Sequence, residues 1–457
     1  MESFHILIFL LFFGFIFSIK NPAYGFMIVL FFVLDIGNYL SKNTFGLPNV
    51  FQIRDVAFIM LFIIIFFGQI KDKSFWRDHK FRNLLLFVSL FALYQIFVCI
   101  LIHLNPTPYE FLRQIVYHRW RIFGIFITVP TYIIFRHNAE KIFSFIIISS
   151  FIVLSLYYIS VSTPLNLIGT ISIERFRGTE MIRSSFLNYG YIQMVILIAL
   201  SVFILKIKYK YKKILFISAI LMIIAQLLTL SRLMNFTMIT SILLFAIIIK
   251  KFTGVSFTRN LRYLFIFSLI VLIISFIFFP NMPKNFYRTF ANTFLELTGQ
   301  VPLGTYQSRT EYELINVMPL IKRAPYFGIG YQSFMWQISP IDYGTADIPL
   351  LANLAMYGSV GLFIFSLIYL LEFKRIRNFY IFTKNNSVKI ENKTSKIQLV
   401  FLLIIITYFF NNFFRLFYLT SELVSRPGMI MFGFYLGILF GLVRLFEENY
   451  IVENKLK

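Results

Sequence analysis

The sequence predicts an all-α fold, a polytopic transmembrane helix bundle of about 12–14 spans, and three observations carry that expectation. The chain has 457 residues, of which 58% are hydrophobic and only 14% charged, whereas soluble domains are roughly a quarter charged. Its mean hydropathy is +0.77, more apolar surface than a soluble domain of this length can hide. The apolar residues also fall in runs of the length that crosses a bilayer, about 20 residues.

Those runs lie near 5–19, 24–40, 54–70, 84–103, 122–136, 141–161, 188–205, 214–230, 233–249, 263–280, 348–372, 398–418 and 427–445. The first is short and lacks both a basic start and a small-residue cleavage site, so it reads as a retained helix rather than a removed signal. Cys99 is the single cysteine; an intramolecular disulfide and a cysteine-based metal site are excluded. The net charge of +23 sits between apolar runs. It therefore points to lipid headgroups and anionic substrates, and away from nucleic acid.

Lysine sets the expected orientation, because inward loops are enriched in Lys and Arg. The densest basic connections are 71–82, 206–213, 250–262 and 374–396, and they alternate correctly if all face inward. Segments 41–53, 104–121, 162–187, 231–232, 281–347 and 419–426 then face outward. The chain is expected to form one integral membrane domain over 1–457, with a large outward loop at 281–347 and an inward loop at 373–397. The outward loop is rich in aromatics, includes Trp336, and suggests a short helix over 308–323. Connections of this length are usually functional or disordered, and the aromatic content favours function.

The outward segments carry a second pattern. Their lysines are Lys42, Lys284 and Lys322, against Arg113, Arg119, Arg121, Arg175, Arg177, Arg183, Arg232, Arg288, Arg309, Arg323, Arg415 and Arg426. Topogenic signals accept either residue, so they do not explain the split. Arginine offers a rigid fork that grips phosphate or carboxylate with paired hydrogen bonds. The cluster reads as an anion site, against ordinary pairing with outward acids such as Glu174, Glu180 and Glu311. Arg232 stands between two apolar runs with almost no loop, and Arg415 in the outer half of a span. A charge inside the hydrocarbon costs about 2.5–3.5 kcal/mol on insertion scales, so such residues either face a cavity or snorkel to the headgroups.

In the long loop, Arg309-Thr310-Glu311-Tyr312 leads to Pro325-Tyr326-Phe327-Gly328-Ile329-Gly330-Tyr331, then to Asp347 and Tyr357-Gly358-Ser359-Val360-Gly361-Leu362. With Ser231-Arg232 at the outer end of an earlier helix and Arg175-Phe176-Arg177-Gly178 before a middle one, this order resembles the O-antigen polymerase and O-antigen ligase superfamily. That family's pattern runs from an arginine to a pro-x-x-gly-x-gly turn. A His-Asn or Asp then opens a helix, with gly-x-x-gly-leu eleven residues on. Asp347 to Gly358 spans eleven residues. Ligases typically carry His where this chain has Asp347, which tilts the resemblance toward a polymerase.

The resemblance implies a metal-independent membrane glycosyltransferase that needs no cofactor. It would work on the periplasmic face of a bacterial inner membrane, with an undecaprenyl-diphosphate-linked oligosaccharide as donor, a second lipid-linked glycan as acceptor, and a polysaccharide chain-length regulator as a further partner. Arg232, Arg309 and Asp347 are the expected catalytic residues; Arg177, Arg183, Arg415, Tyr312, Gly328, Gly330 and Tyr331 are expected to bind diphosphate or glycan. The residues allow second roles: Asp347 can cap a helix start or deprotonate an acceptor hydroxyl, Gly328 and Gly330 can form a tight turn or admit a ligand, and Tyr312 and Tyr331 can stack on sugars or belong to the interfacial aromatic belt. A ligase acting on lipid A-core is the nearest alternative. A lipid-glycan flippase or other transporter is the alternative from another class. Transporters often show repeated halves with broken helices; no such repeat stands out in the sequence, and the charges gather at the outer boundary.

Overall fold

The computed structural model describes residues 12–14, 16–33, 59–60, 63, 74–102, 108–162, 171–176, 179–184, 189–228, 232–255, isolated positions between 262 and 298, 315, 317–329, 349–386, 392–418 and 426–455, with backbone alone over stretches that include 108–123, 171–176, 179–184, 232–234, 414–418 and 426–430. The helices in chain order are α1 (Pro22–Val33), α2 (His79–Ile102), α3 (Pro108–Ser162), α4 (Tyr189–Ile204), α5 (Lys212–Leu228), α6 (Arg232–Thr253), α7 (Pro349–Asn386), α8 (Lys393–Tyr418) and α9 (Arg426–Lys455). Among the described residues, five helical stretches are long and apolar enough to cross a membrane: His79–Val98, Phe126–Ile159, Asn235–Thr253, Asn353–Asn385 and Lys393–Phe413. The chain is a multi-pass, all-α bundle. The expected spans near 54–70 and 263–280 fall mostly outside the described residues.

One feature was not expected from the sequence. Strands β1 (Ile171–Phe176) and β2 (Thr179–Ser184) pair antiparallel, with Phe176 opposite Thr179. The period-2 alternation of Ile171 and Ile173 before an x-Gly connection is the hairpin signal. Within segment 162–187, hydropathy alone hid it.

Helix α3 is far longer than one span requires, and it holds two. Asn138 leaves helical geometry at φ −126°, ψ 20°. Phe135 and Phe143, on either side of it, both pack edge-on against Phe401 of α8, at 4.9 and 5.8 Å. Eight residues of straight helix would separate them by about 12 Å, so the chain reverses at Asn138. The spans read at 122–136 and 141–161 are the two arms of this hairpin. Helix α7 continues to Asn386 and α8 starts at Lys393, so helix occupies much of 373–397.

Close packing of α9 on the first arm of α3 forms the spine. Gly433, Gly437 and Gly441 recur every fourth residue, on one face of α9. A Cβ there would sit 1.8 Å from the Gly124 carbonyl oxygen, 2.5 Å from that of Thr128 and 2.6 Å from that of Tyr132, respectively. Lipid offers no hydrophobic drive for helices to associate, so backbone proximity and dense packing must supply it. Thr128 and Thr131 return their hydroxyls to their own helix, at 3.0 and 2.6 Å from the Gly124 and Ile127 carbonyls, which leaves a smooth face for the glycines.

The expected inward segments meet at one end of the bundle. Glu447 of α9 accepts from Arg375 of α7 at 3.0 Å and lies 3.9 Å from Lys80 of α2. Glu448 pairs with Arg136 of α3 and, at 2.7 Å, with Arg444. Asp78 caps α2 through the Lys80 and Phe81 amides and accepts from the Tyr132 hydroxyl. Lys393 pairs with Glu140, and Ser144 bonds the Tyr209 hydroxyl. Burial pushes the Tyr209 phenol above its usual range, with the Ser144 hydrogen bond pulling the other way. These contacts bring the basic connections 71–82, 206–213 and 374–396 to the same end of the bundle.

A Gly437→Val substitution would drive methyl groups into the Thr128 carbonyl and the Thr131 side chain. Overpacking a tight core costs about 1–3 kcal/mol or more. The expected outcome is a lowered melting temperature of the detergent-purified protein, whereas Gly437→Ala should show a smaller drop.

Candidate functional site

At the end opposite the basic cluster, α7 is broken in its third turn. Gly358 adopts φ 63°, ψ −177°, a conformation that side chains with a Cβ rarely take. The break frees backbone groups that a membrane interior cannot satisfy with water. The turn around Gly328 takes them up. Ile329 N–H donates to the Ala355 carbonyl at 2.8 Å, Ser359 N–H to Pro325 at 2.9 Å, and Val360 N–H to Tyr326 at 3.0 Å. The Tyr94 hydroxyl of α2 reaches the Tyr357 carbonyl at 2.7 Å and the Phe327 carbonyl at 3.1 Å.

Two glycines make this docking possible. Gly328, at φ 74°, faces Gly358 backbone to backbone. A Cβ on Gly328 would sit 2.4 Å from the Met356 oxygen, and one on Gly358 2.2 Å from the Tyr326 oxygen. Gly361 receives the Tyr94 ring, whose Cε1 would lie 2.6 Å from an added Cβ. The pro-x-x-gly-x-gly and gly-x-x-gly-leu segments are therefore two halves of one joint. The described contacts of Gly328 are with backbone, which accounts for its tight-turn role. They bring the 325–329 turn firmly onto α7 and α2.

Arg232 is the first residue of α6. The four unpaired N–H groups of a helix start and the positive end of its dipole already attract anions, and an arginine there adds to the same field. Arg415 lies on α8, one turn outward of Asn411 and Asn412. The Asn411 amide donates to Ser241 of α6 at 2.6 Å, and Thr240 lies 3.5 Å from the Asn411 oxygen. Counting from that bridge, Arg232 stands about 14 Å and Arg415 about 6 Å toward the same end. The two arginine positions thus share one end of adjoining helices. Below Arg232 by one turn, Asn235 is fully buried and accepts from Gln226 of α5 at 3.4 Å.

Strand β2 lies against α5, and Arg183 stands opposite Ser172 in its register, while Arg175 stands opposite Glu180. Arg177, Arg309, Tyr312, Gly330, Tyr331 and Asp347 lie outside the described residues. The Tyr94 clamp and the buried amides were not anticipated; a tyrosine and a few amides within apolar runs were the available signal. Among the described residues, no group of three His, Cys, Asp or Glu side chains comes together as a metal site would need.

Gly358→Ala would force a Cβ onto the Tyr326 carbonyl and a strained φ. The turn should undock, and trypsin should then cut at the exposed Lys322 and Arg323 at least about tenfold faster than in the wild-type protein. Tyr94→Phe, which removes one hydroxyl, should give a milder increase.

Residues 217–366 match the sequence model of the O-antigen ligase family, and no curated protein matches the chain. The matched segment begins on α5, takes in the start of α6 at Arg232, and ends just past the Gly328–Gly358 joint. The match covers about a third of the chain's length and is consistent with the superfamily of O-antigen polymerases and ligases.

Proposed function

We propose that this protein is a surface-polysaccharide polymerase. It would transfer a glycan from an undecaprenyl-diphosphate-linked donor to a lipid-linked acceptor on the periplasmic face of the inner membrane. The observation that carries the reading is the arginine excess of the outward segments, with Arg232 and Arg415 at the same end of neighbouring helices inside or beside the O-antigen ligase domain. An acceptor hydroxyl attacks the anomeric carbon of the donor. The bond from that carbon to the diphosphate oxygen breaks, and the lipid diphosphate leaves with the electron pair. Arg232 and Arg309 stabilise the growing negative charge, assisted by Arg177, Arg183 and Arg415. Fixed cations of this kind act without a metal ion, and losing one such donor typically costs about 10²–10³-fold in rate. Asp347, just ahead of α7, takes the proton of the attacking hydroxyl. Tyr312 and Tyr331 hold the sugars, and Gly328 and Gly330 shape the turn beneath them.

A second reading is favoured by the description of the matching domain itself. An O-antigen ligase would use the same donor chemistry and deliver the polymer to lipid A-core. The occupant of position 347, an Asp where ligases typically carry His, favours the polymerase.

Deletion of the gene, followed by electrophoresis of the surface polysaccharide, separates the two. A polymerase predicts lipid A-core bearing a single repeat unit, and no ladder on complementation with Arg232→Ala or Arg309→Ala at normal membrane levels. Loss of every repeat unit from lipid A-core, with long lipid-linked polymer accumulating, would establish a ligase. An unchanged ladder would rule out both.

A further inference from the structure

Buried polar groups are divided unequally between the two ends of the bundle. At the basic end they include the charged Asp78, Arg136 and Arg375, each with at least one partner, the buried Glu372, whose Oε2 has none, and the Gln398 amide, which donates to the Arg136 carbonyl. In the opposite half the buried polar side chains include the amides Gln95, Gln193, Gln226, Asn235, Asn353, Asn411 and Asn412. Some of these amides pair across helices. Among the described residues, Gln95 of α2 has no such pairing, and neither does the side-chain oxygen of Asn353 of α7. Gln95 is 2% exposed and neither its Nε2 nor its Oε1 has a hydrogen-bond partner; Asn353 is 1% exposed and its Oδ1 has none.

These two amides belong to one place. Phe91 of α2 and Tyr357 of α7 touch, with ring centroids 5.6 Å apart. Gln95 follows Phe91 by one turn, and Asn353 precedes Tyr357 by one turn. Both therefore sit outward of that contact, on the faces that α2 and α7 turn toward each other. Immediately inward are the Tyr94 hydroxyl and the Gly358 break. The break interrupts the helical ladder of α7, so the short segment that carries Asn353 is held by the docked turn and Tyr94 rather than by the rest of its helix.

A buried amide without a partner costs about 1–3 kcal/mol, and such a group in a folded protein calls for an explanation. The chemistry of the missing partner can be read from the unpaired atoms. They comprise a donor, Gln95 Nε2, and two acceptors, Gln95 Oε1 and Asn353 Oδ1. Phosphate oxygens accept only, so a diphosphate would leave both amide oxygens unpaired. Hydroxyl groups donate and accept. We propose that Gln95 and Asn353 form a sugar-hydroxyl subsite between α2 and α7, separate from the arginines of α6 and α8, that holds one end of a glycan chain. The identification of a glycan as the hydroxyl-bearing ligand rests on the function proposed above.

The test uses the full-length protein in detergent, with two probes. One is the repeat-unit oligosaccharide released by mild acid from the host's own surface polysaccharide. The other is farnesyl diphosphate. Binding is read by thermal-shift titration for wild type, Gln95→Leu, Asn353→Leu and the double variant. Replacing a partnerless buried amide by an apolar side chain of similar shape is close to neutral for folding, so the melting temperatures without ligand should hold or rise. The oligosaccharide should bind the double variant about tenfold or more weakly, one lost hydrogen bond of about 1.4 kcal/mol being enough, while farnesyl diphosphate binds unchanged. The proposal is overturned if the oligosaccharide does not bind the wild type, or binds the double variant equally, in which case the amides hold only water. Parallel loss of both ligands, or a lowered melting temperature, would also overturn it, since the amides would then only support the bundle. The gel ladder of the deletion strain reports on the proposed function independently: an unchanged ladder with amide-dependent oligosaccharide binding sinks that reading and leaves the subsite standing.

Discussion

A helix interrupted inside a bilayer leaves backbone groups that only protein can satisfy, and the break at Gly358 is where this constraint shapes the molecule most. Three backbone hydrogen bonds from the 325–329 turn, and the Tyr94 hydroxyl, complete what the α-helix leaves open. The consequence reaches beyond local geometry. An outward loop of the length expected over 281–347 has many ways to lie on a membrane surface. Once its 325–329 segment is fixed to α7 and α2, the residues that follow must return from that anchor to the α7 start at Pro349. The break in α7 and the 325–329 turn are thus one device, each taking up backbone groups that the other leaves open.

The two ends of the bundle solve the problem of polarity in lipid differently. At the basic end, charges are paired across helices α2, α3, α7 and α9, and removing one partner would strand the other in a low-dielectric setting. Such a network ties helix ends together and holds the glycine-lined contact of α9 and α3 in register. At the other end, amides replace charges. An amide is cheaper to bury than an ion and can change partners without changing protonation.

Much of the fold was legible because hydropathy and lysine placement are long-range signals: the two arms of α3, the core of α7 and the gathering of the basic connections 71–82, 206–213 and 374–396 at one end follow from them. The domain was legible from its ordered motifs. The joint between those motifs was not. Its bonds run from backbone to backbone between Pro325, Tyr326, Ile329 and residues 355–360, and backbone pairing leaves no side-chain pattern to read. The glycines signalled freedom at Gly328 and Gly358 without saying that each makes room for the other. Tyr94 could not be singled out within an aromatic-rich span, and the β1–β2 hairpin, short and mixed in polarity, leaves no mark in hydropathy. Gly433, Gly437 and Gly441 stood at a readable spacing of four, yet only the opposing carbonyls of α3 show why it matters.

The arginine end depends on these same supports. Arg232 begins α6, where helix dipole and side chain charge have the same sign, an arrangement that destabilises the helix start by itself. It persists because α6 is held lower down: Ser241 and Thr240 meet Asn411 of α8, and Gln226 of α5 meets Asn235. These amide contacts also fix how far α6 can slide against α8, and hence the separation of the Arg232 and Arg415 positions. A diphosphate rewards such spacing only if it is constant, since bidentate pairing is lost when donors drift. Positive charge concentrated at one end is unfavourable for folding and favourable for an anion that arrives later. Stability supplied by the paired charges at the basic end is what allows the opposite end to remain in that state.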